Sequence, residues 1–230
     1  MFCPWDSYAP ATIEFCERLL NGWVRQPANT WSNIGFVLVG MHIWRKTHYT
    51  KHWLRLFAVG SFLVGLTSIA FHMTMTFFAQ FFDVASMFMT AGILVVLNAM
   101  RLRWITQKYL YWTYAFLQIN AMLLMYVFQG TLGEKIFAAE VFFIAFSELA
   151  LFLKYRPSFH SYRWFIAGAA SIATAAIIWL LDIKKIWCDP DNHWFNGHAA
   201  WHILCALTVL FLSKFYDEAV TMELSPSEAN

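Results

Sequence analysis

The sequence predicts an all-α membrane protein, a bundle of seven transmembrane helices with an outer or lumenal N-terminus and a cytoplasmic C-terminus. Three observations carry this. Of the 230 residues, 60% are hydrophobic and only 13% charged, about half the charged share of a soluble domain. Apolar runs approaching or reaching membrane length recur seven times between short polar connections. Lys and Arg gather on alternate connections, eleven against five, and the richer side is cytoplasmic.

The elements follow in order. Residues 1–30 form an outer N-terminal segment with Asp6, Glu14 and Glu17 and no early basic residue. It lacks the basic start of a signal peptide, so the first span directs insertion. Spans are expected at 31–46, 53–73, 78–100, 109–128, 135–153, 163–183 and 198–216, so 31–216 is one seven-helix domain. Arg45, Lys46, Lys51 and Arg55 flank the first connection. Arg101, Arg103 and Lys108 flank the third, and Lys154, Arg156 and Arg163 the fifth. Lys214 opens onto a flexible cytoplasmic tail, 217–230, with Glu218, Glu223, Pro226 and Glu228. The abundant Trp and Phe are mostly lipid-facing or interfacial anchors.

Some function classes drop out. No basic cluster interleaved with aromatics is present, which excludes a nucleic-acid partner; the partner is the lipid bilayer. The four cysteines contain no CxxC pair, which argues against a cysteine zinc module. Cys3, Cys16 and Cys188 fall on one side of the membrane, and one disulfide among them or unpaired thiols fit equally.

Between Arg55 and Arg101 the only formal charge is Asp83. A carboxylate at bilayer depth is costly and marks function. Ser68 and His72 precede it, four residues apart and so on one helix face; His198 and His202 repeat the spacing. With seven spans, helix 2 ends, and helices 3 and 7 begin, on the outer side, so all five groups converge there. Three imidazoles match a catalytic zinc site that leaves a fourth position for water, whose pKa zinc lowers to about 7. The residues between His198 and His202 are Ala199, Ala200 and Trp201, so the base is not the Glu of an HExxH motif. Asp83 is the carboxylate placed for that role, and Ser68 can donate to a developing oxyanion. Trp201 is a candidate wall for substrate. A single intramembrane His more often bonds a neighbouring helix than a metal, and the His48/His52 pair in a basic connection reads as headgroup contact. His42 and His160 read as interfacial. His193 either shapes the entrance or is solvated. Glu140 and Glu148 either pair within helix 5's surroundings or line a polar cavity.

The set Ser68-x3-His72, Asp83 and His198-Ala-Ala-Trp-His202 resembles the alkaline ceramidases, within a superfamily of seven-helix membrane hydrolases that includes progestin/adiponectin receptors. Glu14-Phe-Cys-Glu17 and Asn29-Thr-Trp-Ser-Asn33 resemble the ceramidases' opening pattern, and the likeness runs from about Glu14 to Phe215. It implies zinc on His72, His198 and His202, Asp83 as general base, Ser68 on the oxyanion, and hydrolysis of the ceramide amide to a sphingoid base and a fatty acid. Animal members also carry calcium in the N-terminal segment. Here Glu14, Glu17, the Phe15 carbonyl and Gln26 stand at such positions, oxygen ligands of the kind calcium takes. Gln26 replaces an expected acidic residue and Leu19 an expected polar one. The alternative is that Glu14 and Glu17 are ordinary polar residues of an outer segment.

Two other functions compete: a receptor-like protein with structural zinc, and a hydrolase remodelling lipids or GPI anchors. Retained Ser68 and Asp83 favour an enzyme, because structural zinc is usually closed by four protein ligands. The topology suits a bacterial inner membrane or an ER or Golgi membrane, with the active site near the outer or lumenal side.

Overall fold

The computed structural model describes residues 3–47, 52–128 and 132–224, the last five by backbone alone. His48, one half of the His48/His52 pair, and tail residues 225–230 lie outside the described residues. Among the described residues the regular structure is helical, with a single isolated bridge between Pro10 and Thr76. The α-helices are α1 (Pro27–Ser32), α2 (Ile34–Lys46), α3 (His52–Thr74), α4 (Phe77–Arg101), α5 (Leu110–Val127), α6 (Gly133–Tyr155), α7 (Arg163–Ile183) and α8 (Gly197–Leu224).

Six of them, α3 to α8, are long and apolar enough to cross a membrane. The first expected span is instead two helices joined at Asn33. The helical run begins at Pro27, inside the segment assigned to 1–30. Proline suits a first helical turn because its missing N–H would have no partner there. The short α1 and the joint at Asn33 obscure this start in an apolar scan. At the other end α8 runs to Leu224, past the boundary drawn for the tail at Asp217.

α2 lies antiparallel along α3, and small residues let the backbones approach. A Cβ on Gly65 would meet the Val37 side chain at 2.7 Å and the Asn33 carbonyl at 3.2 Å. A Cβ on Gly40 would meet the Ala58 carbonyl at 2.9 Å. Such close packing replaces the hydrophobic drive that lipid does not supply between helices. α4 packs on α3, α5 and α6, and α8 on α7, α2 and α1.

Far from α1, a buried polar network ties α4, α6 and α8. Arg101 pairs with Glu148, which also accepts from the Tyr162 hydroxyl at 3.2 Å. Asn98 donates to Ser147 at 2.8 Å and accepts from Tyr216 at 3.0 Å. So Glu148 is a paired structural charge. Glu140 sits elsewhere, beside Gln118 of α5 in a notch left by Gly92, whose Cβ would meet Glu140 Oε1 at 3.3 Å. His42 and His160 are exposed.

Candidate active site

The N-terminal segment folds back over one end of the bundle. Ala11 donates to the carbonyl of Met75, in the turn between α3 and α4, and Phe77, the first residue of α4, donates to that of Ala9. That turn needs a left-handed residue, Met75 with φ 50°, and Thr76 then caps α4 through Ala79 N–H. Gln80 and Thr12 exchange two hydrogen bonds at 2.7 and 2.8 Å. Arg25 and Gln26 donate to the carbonyls of Met73 and His72. A disulfide joins Cys16 to Cys188, resolving the choice among three cysteines, while Cys3 is free and buried.

Beneath this cover lie the expected residues. His72 is two residues from the end of α3, Ser68 one turn earlier, Asp83 in the second turn of α4, and His198 and His202 in the first two turns of α8. All five are buried. One nitrogen from each histidine lies within 4.8 Å of the others, and His72 Nε2 and His198 Nε2 are 3.3 Å apart. Two ligands about 2.05 Å from a tetrahedral zinc would be separated by about 3.3 Å, so the spacing fits a metal between them. Ser68 and Asp83 are both buried, and Asp83 Oδ1 has no partner among the described residues.

The other imidazole nitrogens explain the N-terminal motif. His72 Nδ1 lies 2.9 Å from Gln26 Oε1, an acceptor, so that nitrogen carries the proton and Nε2 keeps its lone pair. His202 Nδ1 lies 2.8 Å from Ser32 Oγ, whose hydroxyl donates to the Asn29 carbonyl, with Asn33 Nδ2 at 3.2 Å. Phe15 stacks on His198, ring centroids 3.8 Å apart. Hydrogen-bond partners of this kind, on His72 and His202, fix ring orientation and tautomer at metal sites; His198 Nδ1 has no partner among the described residues and its ring is held by the Phe15 stack. Sequence reasoning singled out the three histidines and missed their contacts with Gln26, Ser32 and Phe15. The signal was present in the polar run from Gln26 to Asn33 that opens an apolar span.

Two carboxylates hold the frame. Asp182, at the end of α7, accepts from His198 N–H at 3.2 Å and from Cys16 N–H at 2.9 Å, capping α8. Glu17 caps α1 from a distance: its oxygens accept from Ala28 and Asn29 N–H, each at 3.0 Å, from His193 Nδ1 at 3.0 Å and from Asn196 Nδ2 at 3.3 Å. His193 is therefore a partner of Glu17. Trp201 packs on Trp179 of α7, centroids 5.9 Å apart.

Of the residues expected to hold calcium, Glu17, Phe15 and Gln26 have their oxygens on protein donors. Glu17 uses both oxygens on four N–H donors, as many as a carboxylate accepts. The Phe15 carbonyl accepts from the Lys185 ammonium. Gln26 Oε1 faces His72 and accepts from Asn29 Nδ2 at 3.2 Å, and Glu14 is exposed.

A family model described as Ceramidase matches residues 7–229. The chain belongs to the ceramidase family. The match takes in the N-terminal cover, the three histidines, Ser68 and Asp83. No match is found among curated proteins. Membership carries a ceramidase-type hydrolase, a lipid substrate and a membrane setting, and the buried histidines are a set that can hold a metal.

Proposed function

We propose that this chain is a zinc-dependent amidohydrolase of the bilayer that cleaves the amide of ceramide, or of a related N-acyl sphingolipid, to a sphingoid base and a free fatty acid. The observation that carries the reading is the buried group of three imidazoles, in a chain that also buries Ser68 and an Asp83 with one oxygen lacking a partner among the described residues. His72, His198 and His202 would hold the zinc, which supplies a Lewis acid and an acidified water. Asp83 takes the proton of the attacking water as the C–O bond forms. Ser68 donates to the carbonyl oxygen as it gains charge. The C–N bond then breaks, and the proton held on Asp83 passes to the leaving amine. Trp201 lies one residue from His202 and walls the approach to it.

The bilayer is crossed seven times, with α1 and α2 as the first crossing. With Asn33 they cover 20 residues from Pro27 to Lys46, about 30 Å of helix. Two things support an outer or lumenal site: the Lys/Arg asymmetry, and a Cys16–Cys188 disulfide over the histidines, since disulfides persist outside the reducing cytosol. A bacterial inner membrane and an ER or Golgi membrane both meet that condition.

The test is product analysis on purified protein. Amide cleavage releases a primary amine from ceramide. Release of fatty acid from ester lipids with no amine would replace this reading by the lipid-remodelling one. Bound zinc with neither product would favour the receptor-like one.

A further inference from the structure

The N-terminal cover carries one buried carboxylate, Glu17, and bonds through Cys16 N–H to a second, Asp182 of α7. Such a cluster calls for a counter-charge. Lys185 supplies one: its ammonium donates to the Phe15 carbonyl, two residues before Glu17, and Lys185 itself follows Asp182 by three residues at the end of α7. The backbone at Lys185 is telling. It is left-handed, φ 56°, at the position just past α7 that closes a Schellman turn, with Lys185 N–H on the Asp182 carbonyl and Ile186 N–H on that of Leu181. Glycine adopts this conformation without strain and is the usual occupant. A lysine there accepts a strained backbone and brings a side chain to Phe15.

We propose that Lys185 is the resident cation of this cover, standing where a divalent ion would otherwise gather the Phe15 carbonyl and the carboxylates, so that the chain closes over its histidines without calcium. Glu17 is saturated by N–H donors and Gln26 faces His72, leaving no oxygen set open to an added ion. The consequence reaches the metal centre, because Phe15 is stacked on His198 and Gln26 is bonded to His72. Lys185 is thus a positioning residue, acting on His198 through Phe15; this last link rests on the metal-site reading above.

The experiment needs no substrate. Wild-type protein in detergent is melted in calcium chloride and in EGTA, and its retained calcium is counted. The expected result is one melting temperature in both and no retained calcium. One calcium per chain, with a melting temperature that rises on its addition, would overturn the proposal. Lys185→Met should melt several degrees lower and Lys185→Arg close to wild type; a Lys185→Met protein as stable as wild type would also overturn it. With cobalt in place of zinc, Lys185→Met should shift the visible absorption bands and Lys185→Arg restore them. Unchanged bands in folded Lys185→Met would break the link to His198. If wild type takes up no cobalt, the metal-site reading fails, while the calcium arm still decides the rest.

Discussion

Asp83 and His202 are both buried, yet their substitutions should separate. Asp83→Asn keeps the shape of the side chain and removes the proton acceptor. It should retain zinc and lower turnover by about 10²- to 10⁴-fold, the range of a general base. His202→Ala should lose zinc itself; near-normal activity in both would end the mechanism. Gln26→Ala removes the acceptor on His72 Nδ1 and should weaken zinc binding by about 10- to 100-fold, read by competition with a chelator of known affinity. The three histidines and Asp83 were legible in the sequence as candidates because His-x3-His spacing and a lone carboxylate in an apolar run are local signals. The partners of their outer nitrogens were not. Gln26 and His72 are 46 residues apart, and Ser32 and His202 are 170 apart, so only the folded cover shows that they meet.

Elements show where apolar scanning works and where it stops. Helices α3 to α8 were visible because each is an unbroken run. The helical run expected at 31–46 starts earlier, at Pro27, because the proline, the joint at Asn33 and the distant cap on Glu17 hide the helix start from an apolar scan. The disulfide was one of several pairings, and proximity of the N-terminal segment to the α7–α8 loop decides it. Cys188→Ser should lower stability by about 2–5 kcal/mol and loosen the cover, read as faster zinc loss in chelator. At the opposite end, Arg101→Met leaves Glu148 buried and removes its cation. It should destabilise by about 3–5 kcal/mol, measured by denaturant titration in micelles, with zinc content unchanged in the folded fraction.

For the whole molecule, the proposed topology would put the disulfide-linked cover and the histidines on the outer or lumenal side and the end of the last helix in the cytoplasm. A fluorescent reporter that folds only in the cytoplasm should light when fused after Asn230 and stay dark when fused before Met1. The reverse pattern would invert the topology. The central claim is that the three histidines hold a zinc with which the protein cleaves an amide. The measurement that tests it most directly is ceramide hydrolysis by purified protein, with and without chelator, reading released sphingoid base and counting zinc on the same sample. The account predicts one zinc per chain, amine release that stops when the metal is stripped, and recovery when zinc returns. Amine release that persists in metal-free protein would contradict it.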